Sequence, residues 1–239
     1  MTGLPRLQTP IFLAPMAGGF NTPELVAAVA DAGGVGSFGF AYSSPEAIDR
    51  ALVVAATQTT GLINANFFVF PKVVAPQPDR LQAGLQALNA VSPHGYWDES
   101  VLIPPYVPDL SSQLEPVWQQ RPSMVTFHLG IPPIALIEKA HALGISVGIT
   151  ATCIAEATAI AAAGADFVVA QGWEAGGHRG RFDTTEIDQE QDLLVLVRAM
   201  AERISLPIVA AGGLMTGRDI ATVLSAGATA AQLGTAFLC

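Results

Sequence analysis

One run in the sequence stands out for its chemistry: Gln171-Gly172-Trp173-Glu174-Ala175-Gly176-Gly177-His178-Arg179-Gly180. Histidine changes charge near neutral pH, which suits it to take or return a proton. Glycines on both sides allow a tight loop that pushes the imidazole into a pocket. The plainer alternative is a solvated loop histidine; the glycines and the apolar run before them favour function. Two further apolar runs end in glycine, at Ala210-Ala211-Gly212-Gly213 and Leu233-Gly234-Thr235. Glycine lets the main chain approach a ligand, and N–H groups at helix starts bind anions. Only Lys72 and Lys139 represent lysine in the chain, so a phosphate here is expected to be held by backbone donors. Ordinary turn glycine is the alternative. Asn66 and Gln171 each lie near the end of an apolar run, where a buried amide needs a partner such as a flavin or purine edge. An Asn capping its own loop is the plainer reading. His128, ahead of Gly130-Ile131-Pro132-Pro133, either faces a substrate or is a satisfied core histidine. Met16 alone reads as core.

These residues sit at the ends of candidate strands. Eight are legible: Ile11–Ala14, Gly34–Phe38, Leu62–Phe67, Met124–His128, Ser146–Thr150, Asp166–Gln171, Ile208–Ala211 and Ala230–Gly234. Most are continuous apolar runs, as strands of a parallel sheet covered on both faces require. Several are preceded by helix-like stretches ending in Ala32-Gly33, Leu143-Gly144, Ala163-Gly164 or Ala226-Gly227, where glycine supplies a left-handed helix end. Thr22-Pro23-Glu24, Ser44-Pro45-Glu46 and Thr216 with Asp219 read as helix starts. Eight strands alternating with helices predict an α/β fold of the (β/α)8 TIM-barrel type. The doubly wound competitor lacks support, because Ala14-Pro15-Met16-Ala17-Gly18-Gly19 does not match G-x-G-x-x-G. Residues 1–239 read as a single domain. Two connections exceed ordinary loop length. Residues 71–123 are expected as an insertion after the third strand, containing a helix at Asp79–Ala90 and lying over the catalytic face. Its aromatics (Tyr96, Trp97, Tyr106, Trp118) suit a partial lid. The other long connection runs from Gly172 to about Asp188. No eighth helix follows the last strand, so the barrel is expected to lack its final helix and to be part of a longer protein.

Hydrophobic residues make up 51% of the 239, charged residues 13%, and the formal net charge is −9. Such a composition excludes disorder. No basic stripe supports a nucleic-acid partner, and no apolar run is long enough to span a membrane. Cys153 and Cys239 have no metal-ligand spacing and cannot form a disulfide scaffold. Without a secretory pattern at the N-terminus, a cytoplasmic location is expected. No metal is expected, and neither a barrel Schiff-base lysine nor a Gly-x-Ser-x-Gly elbow is present.

The chain resembles the nitronate monooxygenase family, formerly the 2-nitropropane dioxygenases. The likeness runs from Pro10-Ile11-Phe12-Leu13-Ala14-Pro15-Met16 to Gly234-Thr235-Ala236-Phe237-Leu238. It is strongest at Ala170–Gly180 and at Ala210-Ala211-Gly212-Gly213-Leu214. The resemblance implies a TIM barrel that binds FMN non-covalently. It also implies oxidation of alkyl nitronates, and in some members nitroalkanes, by O2 to a carbonyl compound and nitrite. By position, it implies that Met16 and Ala17 contact the isoalloxazine and that Asn66 and Gln171 are polar flavin contacts. Gly176, Gly213, Gly234 and Thr235 would belong to the FMN or phosphate set, and His178 is the catalytic histidine. Family members continue past the eighth strand into segments that cover the barrel. The histidine loop also resembles that of flavin-dependent enoyl-acyl-carrier-protein and quinone reductases, which use NAD(P)H. A truncated flavin-binding domain without turnover is the non-enzymatic alternative.

Overall fold

The computed structural model describes residues 3–71, 73–92, 97, 98, 100 and 104–238. Eight parallel strands close into a barrel in sequence order. They are β1 (Ile11–Leu13), β2 (Val35–Gly39), β3 (Leu62–Phe68), β4 (Met124–His128), β5 (Ser146–Ala151), β6 (Phe167–Gln171), β7 (Ile208–Ala211) and β8 (Ala230–Leu233). The register of β1 on β8 (Ile11 opposite Ala231, Leu13 opposite Leu233) completes the ring. Between the strands run α1 (Pro23–Asp31), α2 (Pro45–Gln58), α3 (Pro78–Val91), α4 (Leu110–Gln120), α5 (Ile134–Ala142), α6 (Ile154–Ala162), α7 (Leu193–Ala201) and α8 (Gly217–Ser225). A short 3-10 turn, Thr235–Phe237, follows β8. This is the expected (β/α)8 barrel. None of its described helices is long and apolar enough to cross a membrane.

The local signals act as read. Thr22 and Ser44 accept hydrogen bonds from Leu25 N and Ala47 N at the starts of α1 and α2. Thr216 and Asp219 form a reciprocal capping box on α8. Gly33, Gly144, Gly164 and Gly227 all take φ between +77° and +111°, a region that only glycine occupies without steric cost.

Alternation along the strands sorts side chains into two cores. Outward residues such as Leu13, Phe67, Phe127 and Ile149 pack beneath Val26, Ile48, Leu114 and Ile160 of the helices. Inward, Phe12, Val35, Met124, Phe167 and Ala230 fill the lower barrel, joined by Leu4 and Leu7. The N-terminal segment is tied across that end: Gly3 N donates to Asp166 Oδ1 at 2.7 Å, and Ser146 Oγ donates to Gly3 O at 2.7 Å. Higher in the barrel the inward positions become polar. Thr126 Oγ1 donates to Asn64 Oδ1 at 3.1 Å and accepts from Asn66 Nδ2 at 3.0 Å; Asn64 Nδ2 donates to Ser37 Oγ at 3.2 Å.

Residues 71–123 divide, which corrects the expectation that they lie whole over the catalytic face. The helix expected at Asp79–Ala90 is α3, with Leu85 its buried residue. Leu110–Gln120, however, is the outer-layer helix α4, packed on α2 and β3. It buries Leu114, Val117 and Trp118, and Gln113 Nε2 donates to Phe40 O and Ser43 O at 3.0 and 2.9 Å. Pro116 inside α4 hid this helix, since proline in a helix interior normally breaks it. Trp97 and Tyr106 are exposed; Tyr96 and Cys239 lie outside the described residues.

Gly148 of β5 lies opposite Phe167 of β6, and a Cβ there would stand 2.2 Å from the Phe167 ring. Gly148→Ala therefore overpacks the barrel interior. It should cost about 1–3 kcal/mol, seen as a fall in Tm with the far-UV spectrum retained. An unchanged Tm would contradict the interior packing described.

Candidate active site

The C-terminal ends of the strands surround a cleft of about 600 Å3. Every residue singled out from the sequence lines it: Met16, Ala17, Asn66, His128, Gln171, Gly176, His178, Gly212, Gly213, Gly234 and Thr235. Barrel closure brings Met16 and Ala17 of the first loop beside Gly234. A Cβ on Gly234 would come within 3.4 Å of Ala14 Cβ and 3.7 Å of Met16 Sδ. Gly39 keeps the other side of that loop clear, since a Cβ there would lie 2.8 Å from Ala17 N. No described residue of 71–123 lines the cleft.

The histidine loop is fixed through its main chain. The His178 carbonyl accepts from His128 Nε2 at 2.9 Å and from Gln171 Nε2 at 2.8 Å. The other end of the Gln171 amide, Oε1, accepts from Gly180 N at 2.7 Å. The His178 imidazole meanwhile lines the cleft, with the Phe68 ring edge-on at 5.2 Å. Phe68 also lies 5.4 Å from the His128 ring. Burial holds His128 below the usual histidine range, partly offset by its hydrogen bond to the His178 carbonyl. A neutral ring can donate to that carbonyl only as its Nε2–H tautomer.

Outside the cleft, Arg179 anchors the loop. Its Nη1 donates to Gln171 O at 2.8 Å, while Nε and Nη2 reach Asp188 Oδ2 and Oδ1 at 2.9 and 3.1 Å. The guanidinium lies 5.7 Å from the centre of the Trp173 ring. Glu174 turns back to cap α7, both its carboxylate oxygens accepting from Leu193 N at 3.1 and 3.0 Å.

The glycine edges differ from expectation in one respect. A carboxylate caps the approach to α8: Asp219 Oδ2 accepts from Met215 N, Thr216 N and Thr216 Oγ1. No residue of α8 lines the cleft, whose edge here is Gly212, Gly213, Gly234 and Thr235. Gly212 and Gly213 take φ of +132° and +65°, and a Cβ on Gly213 would approach Glu174 Cβ to 2.9 Å.

Several lining residues were not singled out from the sequence, among them Phe68, Thr126, Thr150 and Gln232. The period of two was the signal available. Phe68 lies two residues after Asn66, Thr126 two before His128, and Gln232 two before Gly234, so each faces the same way as its flagged neighbour. The Arg179–Asp188 pair had no periodic signal.

Arg179 holds the Asp188 carboxyl at about 2, below its ordinary 3.8. A depressed carboxyl stabilises the folded form above its unfolded pKa and loses that contribution as pH falls through the folded value. The shift corresponds to about 2 kcal/mol. Asp188→Asn should lower stability by up to that amount at pH 7, and the gap to wild type should close as pH falls from 3.8 towards 2. A gap independent of pH would contradict the clamp.

Comparisons with known proteins give the family. The nitronate monooxygenase family model matches residues 1–239. A nitronate monooxygenase of Pseudomonas aeruginosa is 42% identical, over 99% of this chain and 68% of its own. One of Paraburkholderia phytofirmans is 37% identical, over 97% and 64%. Among solved structures, nitroalkane oxidase from Streptomyces ansochromogenes superposes with a TM-score of 0.80 at 35% identity, covering 97% of this chain and 66% of the other. FabK from Thermotoga maritima superposes with a TM-score of 0.72 at 27% identity, covering 97% and 60%. The chain thus spans roughly two thirds of the length of these relatives. With its barrel, its histidine loop and its glycine edges in place, the chain belongs to the nitronate monooxygenase family.

Proposed function

We propose that this chain is the flavin-binding catalytic barrel of an enzyme that oxidises alkyl nitronates with O2, giving a carbonyl compound and nitrite. Nitroalkanes enter the same reaction where the substrate arrives neutral. One observation carries the reading: a histidine, two amides and two glycine edges, from strands far apart in sequence, converge on one cleft. Its volume, about 600 Å3, suits a small-molecule or cofactor site.

The residues present fit FMN. Met16, Ala17, Asn66 and Gln171 would meet its ring system. Gly176, Gly212, Gly213, Gly234 and Thr235 would meet its phosphate end. Gly176 forms part of an open cradle, since a Cβ there would find nothing within 4 Å. Since the glycine edges and no residue of α8 line the cleft, the phosphate would fall to main-chain donors of those edges. When bound, the flavin supplies the electron acceptor and the centre for reaction with O2.

The rest belongs to the chain. An imidazole nitrogen of His178 takes the α-proton of a nitroalkane, or faces the nitro group of a nitronate that has already lost it. The Phe68 edge restrains the imidazole, and the clamped main chain keeps it at the cleft. This is orientation set before substrate arrives. The likeness to FabK and the reductase-like histidine loop support a second reading, an NAD(P)H-dependent flavin reductase.

Gly213→Asp would set a carboxylate against the phosphate, so the variant should lose the visible absorbance of bound flavin while remaining folded. O2 consumption with an alkyl nitronate, compared with NAD(P)H oxidation on a quinone or enoyl thioester, separates the readings. We expect the first activity. The second without the first would favour the reductase, and neither would leave a flavin-binding barrel without turnover.

A further inference from the structure

We propose that His128 is a positioning residue: as a neutral imidazole it donates Nε2–H to the main-chain carbonyl of His178 and so aims the catalytic imidazole, without exchanging protons itself. The carbonyl has two donors. Gln171 arrives from the end of β6 at 2.8 Å and His128 from the end of β4 at 2.9 Å. These strands lie on either side of β5 in the ring, so the loop is held from two directions and the His178 side chain is left to the cleft.

The surroundings of His128 fit a fixed donor. Gly180 is packed against its ring: a Cβ there would lie 2.7 Å from His128 Cε1 and 2.9 Å from the Thr150 methyl. The Phe68 ring lies 5.4 Å away. The main chain is pinned as well, with the His128 carbonyl accepting from Val69 N at 2.8 Å. The next residue, Leu129, takes φ +72°. A non-glycine residue in that region is strained, and such strain persists where the surroundings over-determine the conformation. Titratable neighbours do not favour a charged His128. His178 disfavours it by like-charge repulsion, and Arg179, next along the loop, is committed to Asp188 and the Gln171 carbonyl.

Tautomers are read directly by long-range 1H–15N correlation spectra of protein labelled at histidine, with the His128 signals assigned from their loss in His128→Gln. This reading does not depend on which substrate the enzyme uses. The signals should show a neutral Nε2–H tautomer that stays unchanged between about pH 7 and 8. A His128 that titrates in this range, or that carries its proton on Nδ1, overturns the proposal. The kinetic arm rests on the nitronate reading. His128→Gln keeps an N–H donor at similar reach and should retain most of kcat/KM with an unchanged pH profile. His128→Leu removes the donor and should lose about 10²-fold on the nitroalkane, the scale of a misplaced catalytic group, with much of the nitronate activity retained. If Gln is as damaging as Leu, or removes an ionisation from the pH profile, His128 takes part in the chemistry and the proposal fails.

Discussion

Pairing of β1 with β8 is the constraint on which the site depends. Three register pairs, from Ile11 with Ala231 to Leu13 with Leu233, join the first strand to the last. Only through them do Met16 and Ala17, near the start of the chain, share a cleft with Gly234 and Thr235, near its end. A sheet left open at that seam would expose the inward Phe12 of β1 and Ala230 of β8 and leave the glycine edge without its opposite wall. The lower barrel, filled by Phe12, Phe167 and their neighbours, sets how near the two strands approach. Gly148 takes part in this by giving the Phe167 ring its space.

On that frame, polarity is graded along the barrel axis. Apolar residues and the N-terminal segment close one end. Hydrogen-bonded Ser37, Asn64, Asn66 and Thr126 occupy the middle, and the cleft opens at the other end. Buried polar groups are costly unless paired. Within this ladder the amides and hydroxyls satisfy one another, so they can stand close to a ligand at little cost to the fold. The histidine loop follows the same logic. Its main chain is bound to Gln171, His128 and Arg179, while the His178 side chain meets an aromatic edge.

Most of the frame was legible because parallel barrels write their strands as unbroken apolar runs and mark their helix ends with glycine. The eight strands lie within a residue or so of their expected bounds. The α4 helix was not legible, because Pro116 contradicts the local pattern, while packing on α2 and β3 supports the helix. Site residues of unusual type for their place, such as His178 and Asn66, could be read from the sequence. Phe68 and Thr126 are ordinary strand residues, and nothing but facing direction marks them. The use of Gln171 and His128 as donors to the His178 carbonyl depends on how the loop folds back over two strand ends, which no spacing encodes.

In the proposed reaction His178 acts as a base towards a substrate carbon. A nitroalkane must lose a proton before it can be oxidised, whereas a pre-formed nitronate has already lost it. A positioned base contributes about 10²–10⁴-fold. The deciding measurement is therefore the steady-state rate of His178→Asn on both forms of one substrate, at one pH and with matched flavin content. We expect a loss of roughly that factor on the nitroalkane, with much of the nitronate activity retained. Equal losses on the two forms would rule out a base role for His178.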